Sequence, residues 1–283
     1  MSFMVEIAPK NRKGFFGSFT LASAVGGLLL GSAFVMMLNI LLPDKTMYLW
    51  GWRIPFLSGI FILAIGLWLR EGMSESPEFL RTKPVSGISP IVHTFKYKKK
   101  AILRLSGIVS LATVTSYIMF VWMPTYLSDI IKYPIHNSMT LNTISMGIFL
   151  IAVPIAGYIS DYVGHRKTMI IATIIVMIIT LPLFMLLQNG DVKSALAMQI
   201  AFAVLSGFIQ GPLPALMAEM FPVNIRYTSI GVGYNTSVAI LGGTAPAIAT
   251  WLIEKTGSYT SPAWYIIFFA VTSLLSLVFL SSV

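Results

Sequence analysis

Glu219-Met-Phe-Pro222-Val-Asn224-Ile-Arg226, with Gly231 close behind, restates a pattern met near the start of the chain: Glu6-Ile-Ala-Pro9-Lys-Asn11-Arg12, with Gly17 close behind. Each copy opens a long apolar segment rich in small residues. Each segment carries a Gly-Gly pair, Gly26 and Gly27 in the first and Gly242 and Gly243 in the second. Repetition at that distance indicates a duplicated structural half rather than a local motif.

The composition says what kind of half. Of 283 residues, 56% are hydrophobic and only 10% are charged, where soluble domains carry about 25% charged residues. The charges also cluster. They leave eight charge-free stretches, 14–43, 54–69, 105–128, 133–160, 168–190, 194–218, 227–253 and 256–283. An α-helix needs about 20 apolar residues to cross the hydrocarbon core, and all but the second stretch reach that length. The second runs between Arg53 and Arg70. It spans if those arginines reach toward the headgroups, with Trp50 and Trp52 as interface anchors. Open sheet edges are excluded from lipid, so every span is expected to be helical. The fold class is an all-α membrane protein with eight transmembrane helices.

The first apolar stretch follows Lys10, Arg12 and Lys13, as a signal peptide's would, but it is far longer than a signal h-region of 7–15 residues. With no cysteine, the chain has no disulfide framework, thiol chemistry or cysteine-ligated metal. The net charge of +9 could suggest nucleic acid. Its distribution argues otherwise. With eight spans, residues 1–13, 70–104, 161–167 and 219–226 share one side and hold 14 of the 19 Lys and Arg. The positive-inside rule makes that side cytoplasmic, both termini included, and the excess suits anionic lipid headgroups of the bilayer. No nucleic-acid partner is expected.

The largest hydropathy break is 70–104, with Pro77, Pro84 and Pro90 and the run Lys96, Lys98, Lys99, Lys100, Arg104. It reads as a cytoplasmic linker between bundles. Two spans precede it and six follow. Glu219 falls between the fourth and fifth spans of the later bundle, so Glu6 should hold the same place in its own. The parent architecture is then two bundles of six. Residues 1–70 supply the last two helices of the N-terminal bundle, 71–104 the linker and 105–283 the C-terminal six-helix bundle. Four helices would lie ahead of Met1, encoded with this chain or separately as a partner. Prolines inside spans (Pro124, Pro154, Pro182, Pro212, Pro214, Pro246) mark candidate bending points.

The sharpest local signal is Gly157-Tyr-Ile-Ser-Asp161-Tyr-Val-Gly164-His165-Arg166-Lys167, read as an eleven-residue loop between two uncharged helices. Gly157 and Gly164 permit close packing and a tight turn. The Asp161 carboxylate suits a helix N-terminus, and the span starting near Tyr227 offers one. Arg166 or Lys167 can pair with Glu219.

This loop resembles the Gly-x-x-x-Asp-x-x-Gly-Arg-(Arg/Lys) signature of the major facilitator superfamily, with His165 where the first arginine usually stands. Trp50-Gly-Trp-Arg53-Ile-Pro55-Phe, Glu75-Ser-Pro77-Glu-Phe79, Met123-Pro124-Thr-Tyr126-Leu-Ser128 and Met220-Phe-Pro222-Val-Asn-Ile-Arg226-Tyr227 are similar to the metabolite:proton symporter branch. The resemblance implies a bundle of twelve helices, eight of them here. It also implies proton-coupled symport of a small zwitterion such as proline, betaine or a related osmolyte across the inner membrane. It makes Glu6, Arg12, Gly157, Asp161, Gly164, Arg166, Lys167, Glu219 and Arg226 the cytoplasmic gate.

Two other readings stay open: a carboxylate or sugar substrate in the same fold, and a non-transporting fragment. Tyr117, Trp122, Gln210 and Asn235 are candidates for the substrate path, since aromatic faces attract quaternary ammonium groups. No Asp, Glu, Lys or Arg lies inside a span, and His136, near one span end, reads as interfacial. His93, His136 and His165 are dispersed without metal-ligand spacing. Paired carboxylates, a nucleophile elbow and a phosphate-binding loop are missing. No enzyme activity, cofactor or metal is expected.

Overall fold

The computed structural model describes residues 2–72, 76–81, 92, 94, 96, 98–132, 135–189 and 191–279. Among them there are helices and no strands. Eight helical segments are long and apolar enough to cross a membrane: α1 Lys13–Leu41, α2 Gly51–Glu71, α3 Lys99–Ile130, α4 Ile135–Val163, α5 His165–Leu186, α6 Val192–Met220, α7 Val223–Thr256 and α8 Ser261–Val278. Each matches one of the eight charge-free stretches, because an apolar backbone in lipid has only its own carbonyls to bond.

The main core draws on α3 to α8. Leu105, Ile108, Met123, Tyr126, Met169, Phe184, Phe202 and Ile266 are fully buried there. A smaller cluster joins Leu21 and Ala22 of α1 to Phe149 and Val153 of α4 and Ala203 of α6. The α1–α4 contact is close because both helices drop their side chains at the crossing. A Cβ on Gly157 would stand 2.6 Å from the Gly14 carbonyl oxygen, and one on Gly14 would stand 2.5 Å from that of Gly157. By contrast, α2 buries none of its side chains in the protein.

Arg53, one of the two arginines that bound the second stretch, is exposed. Its guanidinium lies over the Trp52 ring, 4.4 Å from the centroid, and Nη1 donates to the Leu49 carbonyl at 2.9 Å. A cation on an indole face is less exposed to lipid. A three-residue 3₁₀ turn, Gly51–Arg53, forms the start of α2.

The prolines do their work in α3 and α6. In α3, π-helical turns at Tyr117–Trp122 and Tyr126–Ile130 flank Pro124. Lacking an N–H, Pro124 returns nothing to the Phe120 carbonyl four residues back. Asn142 Nδ2 of α4 donates to that oxygen instead, at 3.1 Å. In α6, helix Val192–Gln210 breaks at Gly211–Pro212 and resumes as Leu213–Met220, which packs on α1. The expected linker is seen only in part: Pro77–Leu80 is helical, and Pro84, Pro90 and His93 lie outside the described residues.

Candidate functional site

The expected loop over 157–167 is almost all helix. α4 runs through Val163 and α5 starts at His165, leaving Gly164 alone between them. The reversal is made by Gly164 with φ of 100°, a backbone conformation that L side chains resist. Asp161 therefore lies in the last turn of α4 and His165 begins α5 across the reversal.

Asp161 accepts two backbone hydrogen bonds, Oδ1 from Gly14 N at 2.6 Å and Oδ2 from Phe15 N at 2.9 Å. Those amides open α1. The carboxylate thus does cap a helix N-terminus, but α1's and not α7's. Arg12, at the N-cap position of α1, makes no side-chain cap bond, so the donors are left for Asp161. A carboxylate there also meets the positive end of the helix dipole.

His165 bridges two carboxylates. Nε2 lies 3.2 Å from Asp161 Oδ1, and Nδ1 lies 2.9 Å from Glu219 Oε1. The partner of Glu219 is thus the histidine, rather than Arg166 or Lys167. Arg166 turns aside, and its Nη2 donates to the Val278 carbonyl at 2.7 Å. A second ion pair lies nearby in the fold. Arg226 Nη1 donates to Glu6 Oε1 at 2.9 Å and to Glu78 Oε2 at 3.3 Å, and Nε donates to the Phe221 carbonyl. Ser76 donates to the other Glu6 oxygen. Arg12 and Lys167 form no ion pair among the described residues.

Farther along the bundle, a cavity of about 160 Å³ lies between α1, α3, α4, α6 and α7. Tyr117 and Gln210 line it, together with Ser116, Phe120 and Tyr234. Gln210 Nε2 donates to Ser116 Oγ at 2.6 Å. Trp122 is elsewhere: its Nε1 donates to Thr250 Oγ1 at 2.9 Å, and its ring lies 4.7 Å from that of Tyr126. Asn235 is exposed and does not line the cavity, while its neighbour Tyr234 does. Adjacent helical residues differ by about 100° in direction, and α7 has apolar and small residues all round, so no stripe shows which of the two points inward. The backbone amides of Gly14 and Phe15 likewise leave no trace in residue type.

Two overlapping segments, residues 1–242 and 138–283, match the model of the Major Facilitator Superfamily. A protein of Staphylococcus aureus (strain COL) provisionally named a proline/betaine transporter is 32% identical over 286 residues, covering 99% of this chain and 61% of that protein. The proline/betaine transporter of Escherichia coli (strain K12) is 27% identical, over 97% of this chain and 57% of its own length. The chain thus spans about three fifths of the length of the curated relatives it matches. Among solved structures, the proton:xylose symporter XylE bound to 6-bromo-6-deoxy-D-glucose superposes with a TM-score of 0.76 at 16% identity, covering 98% of this chain and 65% of that one.

Proposed function

The chain belongs to the major facilitator superfamily, and from that premise we propose that it is the larger part of a proton-coupled symporter for a small zwitterionic osmolyte of the proline or betaine kind. What carries the reading is the cavity among Tyr117, Gln210, Ser116 and Tyr234, whose lining is otherwise mostly apolar and holds no charged side chain. Such a lining suits a ligand of no net charge, with ring faces for an ammonium end and an amide and hydroxyls for a carboxylate. The names of the relatives point the same way.

In this reading residues 1–70 are the end of one bundle, 71–104 a cytoplasmic linker and 105–283 the second bundle. Both termini are cytoplasmic and the membrane is the bacterial inner membrane, in keeping with the basic side of the sequence. The two bundles rock about the cavity. Asp161, His165, Glu219, Glu6 and Arg226, with Gly164 making the turn and Gly157 the close crossing with α1, hold the cytoplasmic side closed. Arg12, Arg166 and Lys167 add positive charge to the same side. The four further helices of the parent architecture belong to the same working unit, whether or not one gene encodes both parts.

One alternative has an observation behind it. A chain spanning three fifths of its relatives is a non-transporting fragment if the missing share carries the proton-coupling groups. Uptake of radiolabelled proline and betaine into proteoliposomes separates the readings. We expect none with the 283-residue chain alone, and uptake driven by an inward proton gradient once a four-helix N-terminal part is restored. Absence of uptake in the restored protein for both solutes, with uptake of a sugar or dicarboxylate instead, would overturn the zwitterion assignment.

A further inference from the structure

The resemblance leads one to expect an arginine where His165 stands, and the two side chains differ in one respect that matters here: arginine keeps its charge, histidine does not. The contact made at this position is unusually demanding. Both ring nitrogens face carboxylate oxygens, Asp161 Oδ1 at 3.2 Å and Glu219 Oε1 at 2.9 Å. An ionised carboxylate accepts hydrogen bonds and cannot donate them. With both carboxylates ionised, both bonds exist only if both nitrogens carry protons, so this arrangement calls for the imidazolium.

We propose that His165 makes this closure proton-dependent: the cationic ring ties α4, α5 and the end of α6 together, and on losing its proton it releases Glu219. The neutral ring has one donor for two acceptors, and burial decides which partner keeps it. Asp161 is 3% exposed and has no water to turn to, whereas Glu219 is 49% exposed and does. Glu219 sits on Leu213–Met220, the helical piece that packs on α1 and on the short helix Ser2–Glu6. Its release frees the α6 end from α5 and loosens the seat of α1's first turn.

The other charged and titratable groups leave this assignment to the histidine. From α4 the ring meets Asp161, and from α6 Glu219. Tyr158 and Tyr162 of α4 bond each other through their hydroxyls. Arg166 on α5 is engaged by the Val278 carbonyl, the only polar contact α8 brings to this turn among the described residues. From α1 come Arg12 and Lys13, ahead of the amides on Asp161. The reading of this turn as a gate gives the proposal its consequence for transport, but the contact itself is what the test reads.

The chain has no cysteine, so one introduced thiol is unique. Ala218→Cys places it next to Glu219 at a position 3% exposed. Its rate of modification by a water-soluble maleimide is followed in lipid nanodiscs from about pH 5.5 to about pH 8.5, either side of the ordinary histidine range. Each rate is divided by that of the same cysteine on a His165→Arg background, which removes the thiol's own ionisation. We expect a ratio near one at the acid end, rising about threefold or more at the alkaline end, the size of one half-exposed ion pair. His165→Gln should label fast at both ends. A ratio that stays flat overturns the proposal, as does an equal rise with His165→Gln. If the glutamine variant loses its helical circular dichroism, the histidine–arginine comparison decides alone.

Discussion

Glu6 Oε1 lies 2.9 Å from Arg226 Nη1, so the acidic residue of one repeat copy is held by the basic residue of the other. Both side chains are largely buried, at 9% and 13% exposure, whereas Glu78, the second partner of Arg226, is 42% exposed. Water can replace what Glu78 receives but not what Glu6 receives. Thermal unfolding in detergent of Glu6→Ala, Glu78→Ala, Arg226→Ala and the two double variants should therefore give unequal couplings. About 2 kcal/mol is expected between Glu6 and Arg226, and under about 1 kcal/mol between Glu78 and Arg226. Equal couplings would mean that the pair is as solvated as its neighbour.

Asp161 accepts from the second and third amides of α1, those of Gly14 and Phe15, one oxygen to each. Asparagine has a single carbonyl oxygen and cannot serve both. In Asp161→Asn, one of the Gly14 and Phe15 amides should exchange its hydrogen roughly fivefold faster, and in Asp161→Ala both should, as expected for loss of about 1 kcal/mol of capping. Exchange resolved by residue checks this. No change at either amide would show that α1's start is held by its packing on α4 and Leu213–Met220 instead.

How much of this was legible in the sequence depends on what kind of information each feature needs. Eight helices could be read because lipid permits no other use of a charge-free run of that length. Glu6, Asp161, Glu219 and Arg226 stood out because charges are scarce and these four sit beside glycines and prolines in repeated or signature patterns. Their pairing did not. From sequence alone Asp161 suits the helix start near Tyr227, and the close crossing at Gly14 and Gly157 gives it the one at Lys13 instead. His165 also took the partner expected for Arg166, since a helix beginning one residue after Asp161's turn throws Arg166 toward α8. Neighbour choice is a property of packing, and a single sequence carries little of it.

The crossing itself can be tested by size. Gly157→Ala puts a methyl group 2.6 Å from the Gly14 backbone oxygen, which can move only with its helix. It should cost on the order of 1–3 kcal/mol and separate α1 from α4. Gly31 also lies on α1, but a Cβ there meets nothing within 4 Å, so Gly31→Ala should be neutral or slightly stabilising through helix propensity. Melting temperatures of the two variants in the same detergent make the comparison. If both fall alike, the helix as a whole, and not the crossing, is sensitive to added bulk.

At the far end of the chain's fifth connection, Asp191 caps α6. Its carboxyl is held below the ordinary aspartate range, first by the Ser194 hydroxyl and then by the Ser194 amide, which donates at 2.8 Å. A depressed folded value means the cap's contribution is present above the unfolded value, about 3.9, and is lost as pH falls below it through the folded value. Amide exchange at Ser194, corrected for its intrinsic acid dependence, should stay protected at pH 5 and lose protection only well into the acid range. Asp191→Asn should remove the pH step while keeping part of the protection. A step that persists in the asparagine variant would assign it to another group.

Asn142 and Pro124 make the last prediction, because each explains the other. Pro124 leaves the Phe120 carbonyl without its α-helical donor, and Asn142 Nδ2 supplies one from the neighbouring helix at 3.1 Å. Asn142→Ala alone should then leave a carbonyl without its cross-helix donor at a part-buried position and cost about 1 kcal/mol. Pro124→Ala restores an N–H to the α3 backbone, and in that background the asparagine has little left to do. The cost of Asn142→Ala should shrink to a few tenths of a kcal/mol, a non-additivity read directly from a thermal double-mutant cycle. The same cycle discriminates a rival account, in which Asn142 matters through its contact with Met146. That contact is untouched by Pro124→Ala, so on this account the two substitutions would simply add. Strict additivity would therefore show that the two π-helical turns already satisfy the carbonyl, and that α4's asparagine bonds to it without being needed.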